Sequence, residues 1–399
     1  MHGCAVTSVD PSRAQVATDT TWATTTHHHG RYAPHHRVPS CTIPRVPTGM
    51  PLDAIRTLVE SIRDAVIDAR ANAIGHDADV VRLDDGRDPT HTGDTIYRID
   101  LRAEEIVLEW AAMHAHDPHG PFGATFAIIA EGLPGDGWTT FPAGTPRDAV
   151  ETVVIVDPID GTRGLMHGKR SAWALAAVGP GPAQLGRAPR LRDLQVAAMA
   201  EIPTPRARLV DTLWGARGRP LHGTTLDLAT GAIAPARVGP SGATDLAHGF
   251  ASIAKFFPGT KVMAAEVEEA LFAAVMGDPP GGAPVIFDDQ YISSGGQLYE
   301  LLAGHDRFVA DLRPYFMDAL EARDGASGHG HVRRRLCCRP YDLCTLLLAE
   351  ATGVIVTDGR GHPVDAPLDT TSDVAWAGYA NRTLHDAMQP VLTRLLDAL

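Results

Sequence analysis

The apolar and polar positions divide the chain into a head without pattern and a long, patterned body. Residues 1–50 are rich in Thr, His, Pro and Arg and carry no hydrophobic period, which reads as a disordered extension. From Pro51 onward, Leu52, Ile55, Val59, Ile62 and Val66 recur at steps of three and four residues. That spacing predicts an amphipathic helix with Pro51 in its first turn. The polar, Gly- and Asp-rich segment 77–92 predicts a loop or loose hairpin. A second helix is expected from Asp100, which would cap it, with an apolar face of Ile106, Val107, Trp110 and Met113. Apolar runs at 126–130 and 173–178 predict buried strands, the first ending at Glu131 before the turn-rich 132–137. The Gly-, Pro- and Arg-rich stretch 180–192 reads as an interdomain or hairpin linker.

Further along, strands are expected at 196–202, 209–214, 285–287, 307–311, 354–357 and 374–379. Helices are expected at 262–276, 296–303, 341–351 and 384–396, with loops and short strands over 215–249 and a polar insertion at 318–331. The elements interleave without a strict β-α-β repeat, which points to layered α/β with mixed sheets. The expected division is an N-terminal α+β domain over 51–190 and a C-terminal α/β domain over 191–399.

The most informative stretch is 153–163, V-V-I-V-D-P-I-D-G-T-R. Its β-branched opening marks a strand buried on both faces. Pro158 lacks an N–H donor, so the ladder is expected to stop at Asp157. Asp157 and Asp160 then present carboxylates beside Gly161 and Thr162, an oxygen-rich corner suited to a divalent cation and to a phosphate. A turn capped by Asp160 is the plainer alternative, but two acids beside a buried strand are a costly way to build one. Two more acids stand at predicted element ends: Glu131 after a strand and Asp342 at a helix start. Rigid elements can aim such carboxylates, and converging acids repel one another unless cations lie between them.

Composition narrows the function classes. An apolar content of 44% with 21% charged residues is ordinary for a globular chain. A formal charge of −13 argues against a nucleic-acid or anionic-membrane partner, yet bound cations could still attract an anionic substrate. Neither a membrane span nor a signal-peptide core is visible. The 5 cysteines form no C-x-x-C, so a reduced, cytoplasmic protein is expected.

Asp157-Pro158-Ile159-Asp160-Gly161-Thr162 resembles the D-P-(I/L)-D-G-T signature of the inositol monophosphatase family. These are Mg²⁺-dependent, often lithium-sensitive phosphatases related in fold to fructose-1,6-bisphosphatase. Further segments resemble the family in order across roughly residues 52–395. Asp94 to Asp100, followed by Ala103-Glu104, stands where the family has D-x-x-x-x-x-D, though with Tyr97 and Ile99 in place of its Thr residues. Ala130-Glu131-Gly132 resembles G-E-E without the second Glu, and Tyr341-Asp342-Leu343-Cys344 resembles W-D-x-A with Tyr for Trp. Ala377-Gly378-Tyr379-Ala380-Asn381 is similar to the closing strand.

The resemblance implies a layered α-β-α-β-α sandwich binding two or three Mg²⁺ ions. One ion would use Glu131, Asp157 and the Ile159 carbonyl to acidify a water; another, between Asp157, Asp160 and Asp342, would neutralise the leaving oxygen. Thr162, paired with Asp100 or Glu131, would take the proton, while Gly161 and Thr162 amides would hold the phosphate. Asp100, Glu131 and Thr162 are thus the implied catalytic residues. The implied substrate contacts are Asp160, Gly161, Thr162, Ser294 and Gly295, and Arg335 joins them because three arginines stand where the family often has an acid. For the segment 292–298 a Ser-capped helix start is an equal alternative, and for the run Arg333-Arg334-Arg335 a solvated loop is the alternative to a second-phosphate site.

Two other motifs read as non-functional. Asp288-Asp289 are strand-end acids, and His114, His116 and His119 do not converge on one helical face for zinc. The expected activity is Mg²⁺-dependent hydrolysis of a small phosphorylated polyol or sugar. A bisphosphate-specific phosphatase and a catalytically silent ligand-binding protein of the same fold are the alternatives, and a homodimer is left open.

Overall fold

A computed structural model describes residues 49–71, 80–81, 96–117, 119–133, 135–277, 285–326 and 335–399, all within one unit, Ile43–Leu399. All of the expected disordered extension except Gly49 and Met50, which are helical, and most of the 77–92 loop lie outside the described residues, as do Asp94, Arg333 and Arg334. Two mixed sheets dominate. The larger has 8 strands: β3 (Phe126–Ala130), β4 (Trp138–Phe141), β5 (Thr152–Asp160), β6 (Ala172–Pro180), β7 (Val196–Ile202), β8 (Leu209–Ala216), β9 (His222–Asp227) and β10 (Ile233–Pro235). Their spatial order is β10-β9-β8-β7-β6-β5-β3-β4, with β3 and β5 parallel and the other pairs antiparallel. The 180–192 segment joins β6 to its neighbour β7, so it is a hairpin connection. The smaller sheet has 5 strands in the order β12-β11-β13-β15-β14: β11 (Gly249–Ile253), β12 (Ile286–Phe287), β13 (Asp306–Asp311), β14 (Ile355–Thr357) and β15 (Trp376–Tyr379). A short ladder, β1 (Val80–Val81) with β2 (Ile96–Tyr97), stands apart from both.

Sequence pattern explains the layers. Along β6, alanines at 172, 174 and 176 face one side, while Trp173 and Leu175 face the other. The small side lets α1 (Gly49–Ala71) and α2 (Arg98–His114) pack on the sheet, burying Ile55, Val59, Ile62, Val107 and Trp110. Trp173 and Leu175 enter a second core shared with α6 (Ser294–Leu302), α8 (Leu347–Glu350) and the smaller sheet. On the far side of that sheet lie α5 (Lys261–Met276), α7 (Arg313–Ala326) and α9 (Arg382–Asp397). The result is the expected layered α-β-α-β-α sandwich.

Five local expectations are corrected. Strand β5 does not end at Asp157: a bulge carries it past Pro158, and Asp160 pairs again with Trp173. Helix α2 starts at Arg98, and Asp100 accepts the Tyr97 N–H at 2.7 Å from inside the first turn. Met113 lies 68% exposed, whereas Ile99 and Ala103 complete the buried face. The 318–331 insertion is helical as far as Ala326, and the 341–351 helix splits into a tight turn, Tyr341–Leu343, and α8.

Leu298 of α6 is fully buried between the two sheets. Leu298→Ala should lower unfolding stability by about 2–5 kcal/mol in denaturant titration. A loss under about 1 kcal/mol would contradict this packing.

Candidate active site

The bulge in β5 aims the site. Asp157 pairs with Leu175 and Asp160 with Trp173, so three residues of β5 span two of β6. Both carboxylates therefore face the inter-sheet layer, and Ile159 turns to the opposite core. Next door, parallel β3 ends at Ala130 opposite Val156, which sets Glu131 beside Asp157. Asp342 arrives on the tight turn after Pro340, its carboxylate held by the Arg339 N–H at 2.6 Å.

Carboxylate oxygens of Asp157, Asp160 and Asp342 all lie within 4.8 Å of one another. Asp157 and Asp342 share a hydrogen bond. Burial, reinforced by Asp160, Asp342 and Glu131, raises the Asp157 carboxyl well above its ordinary range. Burial also raises Asp160, to about 8, with Asp342 adding to the effect. Asp342 is likewise raised, chiefly by burial. Three acids at this separation, Asp157 and Asp160 buried and Asp342 half-buried, match the all-oxygen donor set that Mg²⁺ prefers.

Asp160 is itself fixed from α6. Its Oδ2 accepts from Ser293 Oγ at 2.9 Å and from the Gly295 N–H at 2.5 Å, while Ser293 also caps the helix. A Cβ at Gly295 would stand 2.9 Å from Asp160 Oδ2 and 2.8 Å from Leu175, so glycine is required by close approach. Gly161 adopts φ of 97° and turns the chain into α3 (Thr162–Met166). There Thr162 Oγ1 lies 3.0 Å from Asp100 Oδ1 and 2.9 Å from the Ile159 carbonyl oxygen. Of the two partners considered for Thr162, the hydroxyl meets Asp100.

One cavity collects these groups. Asp100, Glu131, Asp157, Ile159, Asp160, Gly161, Thr162, Ser294 and Asp342 all line it. Two expected substrate contacts do not. The Gly295 amide is engaged by Asp160, and Arg335 is bound by Asp318, Glu321 and Asp373. Sequence reasoning missed Arg163, Arg313 and Arg339, which line the cavity with Phe256 and Phe257. Only Arg163 carried a signal, standing directly after Thr162; the others reach the cavity through tertiary folding. The acids at 288 and 289 pair with Lys255 and Arg170, as befits strand-end acids. Among the described residues the histidine group holds no metal cluster.

The raised carboxyls generate a pH test. An acid whose folded value exceeds its unfolded one keeps its stabilising contribution below the unfolded value, near 4, and loses it as pH rises toward the folded value. Without divalent cations the ionised cluster repels itself, and cations relieve that repulsion. The Mg²⁺-induced rise in Tm, taken as the difference between Mg²⁺ and EDTA buffers, should therefore grow from pH 5 to pH 8. A Mg²⁺ effect independent of pH would contradict the cluster.

No family model matches the chain, and no curated protein matches it. Solved structures do. Leishmania major fructose-1,6-bisphosphatase matches with TM-score 0.57 and 14% identity, over 87% of this chain and 94% of its own. The extragenic suppressor protein SuhB from Bartonella henselae matches with TM-score 0.52 and 13% identity, over 86% and 98%. The Thermotoga maritima IMPase matches with TM-score 0.51 and 15% identity, over 87% and 98%. Identities this low speak to architecture, and the chain has the fold shared by inositol monophosphatases and fructose-1,6-bisphosphatase.

Proposed function

We infer that this chain is a Mg²⁺-dependent phosphomonoesterase acting on a small phosphorylated polyol or sugar. The observation carrying this reading is the meeting of Asp157, Asp160, Asp342 and Glu131 in one cavity with the Thr162–Asp100 pair. Glu131, Asp157, Asp160, Asp342 and the Ile159 carbonyl would hold the cations. Bound there, Mg²⁺ supplies positive charge for the phosphoryl oxygens and acidity for water.

The chain's own groups do the rest. As water attacks phosphorus, its proton passes to Thr162 Oγ1 while the threonine proton moves to Asp100 Oδ1. The phosphorus–ester oxygen bond breaks on the far side, and that oxygen leaves with a proton from solvent. Asp160, clamped by Ser293 and Gly295, keeps its lone pairs aimed at the cavity throughout. Such a reaction depends on positioning and charge, which this arrangement supplies. The fold supports the reading, because the Leishmania major neighbour is a fructose-1,6-bisphosphatase and the Thermotoga maritima neighbour an IMPase. A bisphosphate substrate is the second reading, favoured by the arginines lining the cavity.

Phosphate release from a panel of sugar and polyol phosphates tests this. Activity should require Mg²⁺ and vanish with EDTA. Asp157→Asn should cut kcat by at least about a thousand-fold in a folded protein, the scale of several kcal/mol of lost charge stabilisation. Thr162→Ala should cut it by roughly 10²–10⁴. Activity that survives either EDTA or Asp157→Asn would refute the assignment.

A further inference from the structure

Apart from the catalytic cavity, the described residues line a second one of about 720 Å³ beside β4, the edge strand of the larger sheet. The two share no lining residue. A cavity of this size falls in the range of small-molecule sites. Trp138, Pro182, Pro189, Pro367 and Leu368 give it a largely apolar lining.

Its walls are fixed in advance. The 180–192 hairpin connection is laced to the segment 366–368: the Leu191 N–H donates to the Ala366 carbonyl and the Leu368 N–H to the Pro189 carbonyl, each at 3.0 Å. Trp138 Nε1 donates to the Leu368 carbonyl at 3.3 Å, which ties the edge strand to the same segment. Prolines 182, 189 and 367 hold φ at the lining itself. Walls that need no ordering keep more of the contact energy as affinity.

Charge decides which ligand fits. Arg147 and Arg187 line the cavity, and both are engaged within the protein. Arg147 pairs with Asp136 and lies 4.9 Å from the Trp138 ring centroid. Arg187 forks onto Asp193 at 2.6 and 2.7 Å. Two lining carboxylates have no cation opposite them among the described residues. Asp369 accepts the N–H groups of Thr371 and Ser372 at 2.9 and 2.7 Å, and Asp148 stands exposed with no ion pair. Apolar walls with unbalanced carboxylates attract a cation that carries an apolar body and repel an anion. The indole of Trp138 favours the same class, since an aromatic face attracts organic cations.

We propose that this cavity is a binding site for a small aromatic amine in its protonated form. The site is separate from the phosphatase reading and stands or falls without it.

Ligand-observed NMR titration of the full chain in Mg²⁺ tests this with tryptamine, indole and indole-3-acetate, which share a ring and differ in charge. Tryptamine should bind at least about tenfold more tightly than indole-3-acetate, with indole between them. Asp148→Asn should weaken tryptamine by roughly threefold, the scale of one exposed charge pair, and leave indole unchanged. Ala183→Trp, at an exposed lining position, should obstruct the cavity and weaken tryptamine and indole alike. Asp157→Asn, in the other cavity, should leave tryptamine within about twofold. A crystal soaked with tryptamine should show its ring against Trp138. Equal affinity for the three probes, no tryptamine binding at millimolar concentration, or density for the ring only in the catalytic cavity would each overturn the proposal. So would a tryptamine affinity that Asp157→Asn lowers and that Asp148→Asn and Ala183→Trp leave unmoved.

Discussion

In a regular strand, residues three apart point to opposite faces, so Asp157 and Asp160 on an unbroken β5 could not share a site. The bulge at Pro158 and Ile159 inserts the one extra residue that brings both carboxylates to the inter-sheet side. Proline suits the place because a bulge needs no ladder donor there. Everything else in the site is positioned against that irregularity. β3 runs parallel to β5 and ends level with it, which delivers Glu131. The N-terminus of α6 enters from the second core and clamps Asp160. The turn at Tyr341–Leu343 closes the ring with Asp342.

Holding these acids together works against the stability of the fold. Carboxylates taken from water into a shared, buried space resist ionisation, and the raised values of Asp157, Asp160 and Asp342 express that resistance. A chain that tolerates such a cluster does so on stiff supports: a nine-residue strand buried along its whole length, and cores on both sides of it. The same stiffness makes the arrangement useful to a cation, because the oxygens need not be gathered at the moment of binding.

Much of this was legible in the residues. The β-branched run before Asp157 marked a strand covered on both faces, and the stripe from Ile55 to Val66 marked the helix covering it. Acids at element ends, each unremarkable alone, became a site when taken together. The rest depended on contacts that no local pattern encodes. Met113 fits the helical stripe, but the helix is rotated so that Ile99 and Ala103 face the sheet in its place. Gly295 read as a small residue near a ligand, whereas its amide serves Asp160 across the domain. Arg335 read as a cation for substrate, yet three nearby acids take it up. Arg313 and Arg339 reach the cavity from segments remote in sequence.

The central claim is that Asp157, Asp160, Asp342 and Glu131 form a cation-binding centre at the bulged end of β5. Crystals grown with Mn²⁺ in place of Mg²⁺ test it most directly through anomalous scattering. The account predicts manganese peaks in direct contact with the carboxylates of Asp157 and Asp342, at the mouth of the cavity. A map with no peak there, at a Mn²⁺ concentration that supports phosphate release, would contradict it.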